Sequence, residues 1–555
     1  MEPDDMRWWQ RTIAYEAYPK SFQDTRGQGT GTIRGITERL DHLASLGVGA
    51  LWLTPVYRSP MVDNGYDVQD YRAIDPSFGT MADMDELIAR AGERGIRIVM
   101  DLVFNHTSDQ CPWFLESRAG RDGDKADWYL WRDARPGGGA PTNWRSIFGG
   151  SAWEWCEERQ QYYLHTFASA QPDLNWESPD VRQALFDVAN FWVEKGVGGF
   201  RVDAITYIKK PDRFVDGTPD GEDGMARIHD MTANTEGILD YLGEFKRGVL
   251  EGHDVFSVAE ANGVPASDLP RWVGADGVFD MLFGFDHMHV PMGAAEEWCH
   301  APAWRLTELK QALTGYQTST AADGWCPVFF ENHDQPRSVD NFLPAGADRT
   351  QAARCLATVL LTLRGTPFVY QGEELGYANV AWPSIDDYND VSSRSQYEFA
   401  LREGFSEAEA LEAVHRFSRD NARTPMQWDA GRNAGFSSAT PWLPVHDDYA
   451  SQNVEGEAAE ADSVLSWYRE LARLRQDHDE LLCGDYHELL ADDERIYAYT
   501  RASANATATV LANLSVEPAG YDPGLTRGSA LVASTHGGAT PGMLRPLEAV
   551  IYETR

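Results

Sequence analysis

Short apolar runs of strand length recur along most of the chain, at 13–18, 50–53, 96–103, 199–202, 255–259, 277–281, 328–330 and 367–370. Between them lie stretches whose apolar residues return every three or four positions. In one, Val181, Leu185, Val188, Phe191 and Trp192 fall on a single helix face, and a second such stretch covers 84–94. Strands that alternate with helices predict a parallel sheet, because parallel neighbours need a crossover between them. Eight such units predict an α/β fold of the (β/α)8 TIM barrel type. From residue 480 the pattern changes to short alternating segments, 496–500, 509–514 and 547–552, separated by Gly, Pro and Asn, which predicts a C-terminal antiparallel β domain.

Two long interruptions change that picture. Residues 105–175 are rich in Trp, Gly, Asp and Arg and contain Pro136-Gly-Gly-Gly-Ala-Pro141. A structureless loop of that length does not suit a compact barrel, so an inserted, folded subdomain is expected after the third strand. A second insertion, 376–440, follows the eighth strand. The expected plan is a catalytic barrel from 1–104 and 176–479, an inserted subdomain over 105–175, and a β-sandwich domain over 480–555.

Composition narrows the partners. A formal charge of −38 over 555 residues argues against nucleic acid, which is bound through clustered Lys and Arg. A neutral substrate suits it better, with the acids forming a solubilising surface. Cysteines at 111, 156, 299, 326, 355 and 483 form no Cys-x-x-Cys pair, and no His cluster has zinc spacing, so free thiols are expected. The first residues, Met-Glu-Pro-Asp-Asp-Met-Arg-Trp-Trp, carry acids where a signal peptide needs a basic start. No window reaches the roughly 18 apolar residues of a membrane span. A cytoplasmic protein without membrane attachment is expected, as a monomer or weak homo-oligomer.

Candidate chemistry lies where three of the apolar runs end. Asp203 closes Gly199-Phe-Arg-Val-Asp203, Glu260 lies in Val258-Ala-Glu260-Ala-Asn-Gly263, and Asp334 closes Glu331-Asn-His-Asp334. In a barrel enzyme the loops after the strands form the active site. Glycoside hydrolysis needs carboxylates in these roles: one attacks the anomeric carbon, one protonates the leaving oxygen, and a third can steady an oxocarbenium-like transition state. Strand alternation puts Arg201 on the same side as Asp203, where a guanidinium is expected to keep the acid ionised. Desolvation at the strand end is expected to keep Glu260 protonated. His106, in Asp101-Leu-Val-Phe-Asn-His106, and His333 are expected as donors to sugar hydroxyls.

With these segments in view, the chain resembles the α-amylase superfamily, glycoside hydrolase family 13, and within it the oligo-1,6-glucosidase and α-glucosidase group. The resemblance runs nearly end to end. It includes Ala14-Tyr-Glu-Ala-Tyr-Pro-Lys-Ser-Phe22, Asp63-Asn-Gly-Tyr66-Asp, Gln171-Pro-Asp-Leu-Asn-Trp176, Tyr370-Gln-Gly-Glu-Glu-Leu375 and Ala422-Arg423-Thr-Pro-Met-Gln-Trp428. It implies Asp203 as nucleophile, Glu260 as general acid/base and Asp334 as transition-state stabiliser, in a retaining mechanism. It also implies a glucose pocket lined by Asp63, Tyr66, His106, Phe167, Arg201, His333 and Arg423. Asp63 and Arg423 would grip the non-reducing glucose and make the enzyme exo-acting.

The chain departs from the family in two places. Relatives carry a calcium loop of the form Asp-x-Asn-x-Asp-Gly-x-Gly-Asp, where this chain reads Asp24-Thr-Arg26-Gly-Gln28-Gly-Thr-Gly-Thr32. Calcium needs several oxygen ligands, carboxylates among them, and only Asp24 is kept. With Arg26, Gln28 and Thr32 at the other positions, no metal or other cofactor is expected. In similar enzymes a valine after the nucleophile accompanies α-1,6 preference, so Ala204 tilts the expectation toward α-1,4 linkages or sucrose by about 1–3 kcal/mol. Sucrose isomerases of the family carry an Arg-rich loop after the third acid; Arg337-Ser-Val-Asp-Asn-Phe342 argues against isomerisation.

The expected activity is release of glucose from the non-reducing end of short α-glucosides, with a small oligosaccharide or disaccharide as substrate. The alternative is a transglucosylase using the same residues, and more remotely a non-catalytic family 13 binding subunit. Lys209 and Lys210, just past the nucleophile, are expected on a solvated face rather than on a phosphorylated sugar.

Overall fold

The computed structural model describes residues 3–555 except 222, 266, 275, 294–296 and 322–323. Eight parallel strands form one sheet: β1 (Ile13–Ala17), β2 (Val48–Leu53), β3 (Arg97–Val103), β4 (Gly199–Asp203), β5 (Phe256–Glu260), β6 (Met281–Phe283), β7 (Pro327–Val328) and β8 (Thr366–Tyr370). Their order, β6-β5-β4-β3-β2-β1-β8-β7, is that of a (β/α)8 barrel, with β8 returning beside β1. Each expected run contributes to a strand, but the sixth starts late and the seventh covers only Pro327–Val328 where 328–330 was expected. The backbone amides of Val278 and Phe279 both donate to Trp272 O. They are committed to a turn and cannot join a ladder, so pairing with β5 begins at Met281.

The chain divides into two compact units. One holds 1–51, 93–96 and 285–555, and the other holds 52–92 and 97–284. In the second, helix α1 (Met81–Gly92) precedes β3, and helix α2 (Pro179–Lys195) precedes β4. Helix α2 starts with proline in its first turn, where no amide hydrogen is needed, and buries Val181, Leu185, Val188, Ala189 and Trp192 along one face. It stops at Gly196, whose φ of 94° lies in the left-handed region. Residues Trp131–Arg132, Trp153–Cys156 and Gln161–Leu164 form a three-stranded sheet within the long interruption after β3.

In the first unit, helices α3 (Arg349–Thr362) and α4 (Val464–Asp477) flank β8 in sequence. Beyond them β9 (Asp485–Leu489), β10 (Ile496–Ala502), β11 (Thr507–Asn513), β12 (Ala530–Ser534) and β13 (Ala549–Thr554) form an antiparallel sheet in the order β9-β10-β11-β13-β12. Its core gathers Ile496, Ala498, Leu511, Leu544 and Val550. All six cysteines are free thiols; five are buried and Cys299 is partly exposed. Among the described residues no helix is long and apolar enough to cross a membrane.

Candidate active site

In the second unit the site is built on β3, β4 and β5. Every residue of β4 is buried, and its first residue must be glycine: a Cβ on Gly199 would lie 2.4 Å from Phe256 O of β5. This close approach sets Arg201 beside Asp101 on β3, its register partner, and ends β4 and β5 on Asp203 and Glu260. Arg201 Nη1 donates to both Asp101 oxygens at 2.9 and 3.0 Å and to Asp203 Oδ1 at 2.5 Å, while Nη2 donates to Glu260. Tyr66 and Trp52 donate to Asp101 Oδ2, at 3.0 and 3.3 Å. One buried cation therefore serves three carboxylates.

That arrangement corrects the expected state of Asp203. Burial pushes its carboxyl well above the usual carboxylate range; Arg201 opposes this, but Glu260 and Asp101 add to the rise. Reading Arg201 as a dedicated partner fails because the guanidinium is shared. Ala204 follows with φ 44° and ψ 35°, a left-handed conformation uncommon for a residue with a Cβ, which turns the chain sharply after the acid.

Asp63, His106 and Phe167 also come together. Gln171 Nε2 donates to Asp63 Oδ2 at 3.0 Å and lies 3.1 Å from His106 Nε2. The His106 ring is 5.1 Å from that of Phe167. Burial pulls the His106 pKa down to about 4, so the imidazole is neutral near pH 7. The amides of Val62 and Asp63 both donate to Asp67, at 3.0 Å, which shapes the loop presenting Asp63 and Tyr66. Lys209 and Lys210 are not on a solvated face. Lys209 pairs with Glu177 at 3.1 Å, and Lys210 is buried against Asp173 at 2.7 Å, so both are committed to local structure.

The first unit holds the third acid. The loop after β7 carries His333 and Asp334, with His333 Nδ1 2.6 Å from Glu16 of β1 and its Nε2 3.2 Å from Asp334. Arg423 donates to Asp334 Oδ1 at 2.5 Å and through Nε to His333 O at 2.9 Å. Arg419 reaches the same Asp334 oxygen at 3.4 Å and Asp390 at 2.6 Å. Burial pushes the Asp334 carboxyl up, yet His333, Arg419 and Arg423 together hold it well below the usual range. Burial alone would lower the His333 pKa, but Asp334 and Glu16 on either side hold it at about 10. Tyr18 stacks on this imidazolium with ring centroids 6.2 Å apart. Within this unit Arg423 is thus a partner of Asp334.

The Asp24 loop has its own geometry. The carboxylate accepts from the amides of Arg26, Gly27, Gln28 and Gly29 at 2.7–2.9 Å and from Ser437 Oγ at 2.6 Å. Those five donors fill the roughly four lone-pair sites of the carboxylate. One His/Glu/Glu group among the described residues, His478, Glu480 and Glu553, has ligand atoms within 4.8 Å of one another, and none of the three belongs to the acid-bearing motifs.

Residue-by-residue reading of the sequence missed Asp101, Gln171, Glu16 and Arg419 as members of these clusters. Asp101 and Glu16 carried a signal: each is an acid flanked by apolar residues within a strand, which burial tolerates only when it is paired. Gln171 and Arg419 carried none, because their partners are far away in sequence.

A parallel-stranded barrel with a buried acid at the end of β4 and a partly buried one at the end of β5 defines a barrel enzyme of glycoside chemistry. The α-amylase catalytic-domain family matches residues 16–484, and the chain belongs to that family of glycoside hydrolases. It is 43% identical to a probable oligo-1,6-glucosidase 3 of Bacillus subtilis (strain 168), over 98% of this chain and 99% of that one. It is also 43% identical to an oligo-1,6-glucosidase of Parageobacillus thermoglucosidasius, over 92% and 90% of the two chains. A crystal structure of a Bacillus licheniformis trehalose-6-phosphate hydrolase superposes with a TM-score of 0.91 at 38% identity, covering 99% and 100%.

Proposed function

We propose that the chain is a retaining, exo-acting α-glucosidase that releases glucose from the non-reducing end of short α-glucosides. The observation that carries this reading is the Arg201 fork, which binds Asp203 and Glu260 through neighbouring nitrogens. Such binding supports the separation of about 5 Å of a retaining carboxylate pair rather than the wider gap of an inverting one.

Asp203 attacks the anomeric carbon while Glu260 passes a proton to the leaving oxygen. Glu260 then takes a proton from the water that hydrolyses the glucosyl-enzyme. Positive charge developing at the anomeric carbon favours ionised Asp203 at the moment it is needed. Asp334, kept anionic by its three cations, steadies the distorted sugar. Neutral His106 and cationic His333 offer N–H donors to the glucose hydroxyls, Tyr66 and Phe167 offer ring faces, and Asp63 grips the non-reducing glucose. No metal is required, because the Asp24 loop is closed by its own amides and Ser437.

The relatives named as glucosidases support hydrolysis over glucosyl transfer. The stretch from Arg337 gives no support to isomerisation, since Arg337 is buried on Glu331 at 2.8 Å and on the carbonyls of Gln371 and Ala422. The commitment of Lys209 and Lys210 to Glu177 and Asp173 favours an unphosphorylated substrate. Time-resolved product analysis with maltose, isomaltose, sucrose and trehalose 6-phosphate tests the reading. Glucose from maltose or sucrose ahead of isomaltose is expected. Accumulating trisaccharides, or a preference for the phosphorylated sugar, would overturn it.

A further inference from the structure

A second concentration of buried charge lies away from the glucosidase motifs, where α3 turns into β8. Three arginines surround residues 361–365. Arg475, on α4, donates to the carbonyls of Leu361, Leu363 and Leu481 at 3.1, 3.3 and 3.1 Å, and to that of Gly365. Arg501, on β10, donates to Gly484 O at 3.0 Å and Thr362 O at 2.6 Å. Arg364, in the turn itself, donates to the carbonyls of Thr320 and Gly324 at 3.3 and 3.1 Å. Arg475 and Arg501 have no measurable exposure, and Arg364 has 6%.

Part of this cluster caps a helix. The last carbonyls of α3 need donors, and the helix C-terminus carries roughly half a negative charge. Three cations exceed that several-fold. Among the described residues no carboxylate forms an ion pair with any of the three. The nearby Cys326 thiol supplies no charge, because burial pushes it up despite the arginines. Two N–H groups also remain after the carbonyls are assigned: Arg475 Nε and Arg501 Nη2 are buried without a hydrogen-bond partner. Burial lowers the Arg501 pKa to about 9, with Arg475 and Arg364 acting in the same direction, so the cations feel one another directly. Buried charges are otherwise found paired, and buried donors satisfied.

We propose that this cluster binds a small monovalent anion of halide size, with chloride as the ordinary occupant, through Arg475 Nε and Arg501 Nη2. Two donors suit a spherical monoanion. A phosphate brings four oxygens and would need more donors than remain. The site joins α3, α4 and β10, so the anion would act on folding stability rather than on the sugar chemistry.

The test uses the full chain dialysed into sodium gluconate and titrated with sodium chloride or bromide at constant ionic strength. Saturable stabilisation is expected, with a Tm rise on the order of 1–3 °C and kcat unchanged. Arg501→Lys keeps the charge but loses the second donor, and should abolish the saturable part. If that variant fails to fold, anomalous diffraction from bromide-soaked crystals of the unaltered protein decides. A peak within hydrogen-bond distance of both free N–H groups, together with the saturable Tm response, supports the site. A Tm that follows ionic strength alone, a peak of ordered water only, or bromide bound at crystal concentration without a response in solution overturns it.

Discussion

The two acid clusters differ in how many cations reach their central acid. In one unit a single guanidinium, Arg201, serves Asp101, Asp203 and Glu260. In the other, His333, Arg419 and Arg423 all reach Asp334, while His333 also faces Glu16 and Arg419 also pairs with Asp390. The same kind of side chain is therefore pushed toward its protonated form in the first cluster and locked as an anion in the second. The histidines follow suit, with His106 neutral and His333 charged. Protonation here is set by how many opposite charges share a buried space rather than by residue type. A glycosidase needs both outcomes: a crowded acid pair able to hold a proton, and a permanent anion.

The comparison can be broken in several places. The largest effect is expected from Asp203→Asn, which should cut kcat by a factor on the order of 10^4–10^6 with the fold intact, as removal of a nucleophile does. Retained activity by product assay would show that the crowded cluster is not where the covalent step occurs. Arg201→Lys keeps one charge but cannot fork to three carboxylates. A loss of roughly 10^2–10^3-fold is expected, and the acid limb of the kcat/KM profile should move to higher pH because a single ammonium cannot reach all three carboxylates at once.

Glu16→Gln probes the other cluster. The His333 pKa is raised in the folded chain, so its stabilising contribution is complete below about pH 6.5, the ordinary imidazole value, and is lost as pH rises to about 10. Removing Glu16 should lower Tm most near pH 6, where the contribution is complete, and the difference from the unaltered chain should shrink as pH rises toward 10. An unchanged alkaline limb would exclude Glu16 as a source of the shift. The smallest effect should come from the Asp24 loop. Ser437→Ala removes one of five donors and should cost about 1 kcal/mol in denaturant unfolding, with no response to calcium or chelator in either protein. A calcium-dependent Tm would reopen the loop as a metal site.

Much of the scaffold could be read before the structure, because burial repeats along it. Eight apolar strands and the face of α2 announce themselves by period, and both acids at the ends of β4 and β5 follow from where those runs stop. What could not be read was the sharing of partners. Arg201 looked like a companion to Asp203 because alternation along one strand is a local rule. Its equal attachment to Asp101 and Glu260 depends on the register of three strands joined by long crossovers. The late start of β6 was hidden for the converse reason: Val278 and Phe279 are apolar enough for a strand, and only the capture of their amides by Trp272 O keeps them out of one. Lys209 and Lys210 read as solvated because charge usually is, whereas Glu177 and Asp173, more than thirty positions earlier in the sequence, hold them.

The free thiols provide a chemical gauge already present in the wild-type chain. Cys299 is the partly exposed one and would react first with a thiol reagent, giving an internal reference. Cys111 and Cys156 belong to one compact unit, and Cys326, Cys355 and Cys483 to the other. The order in which these five become reactive under rising denaturant, read by peptide mass mapping, would tell whether the two units open together or one after the other, without a single engineered label.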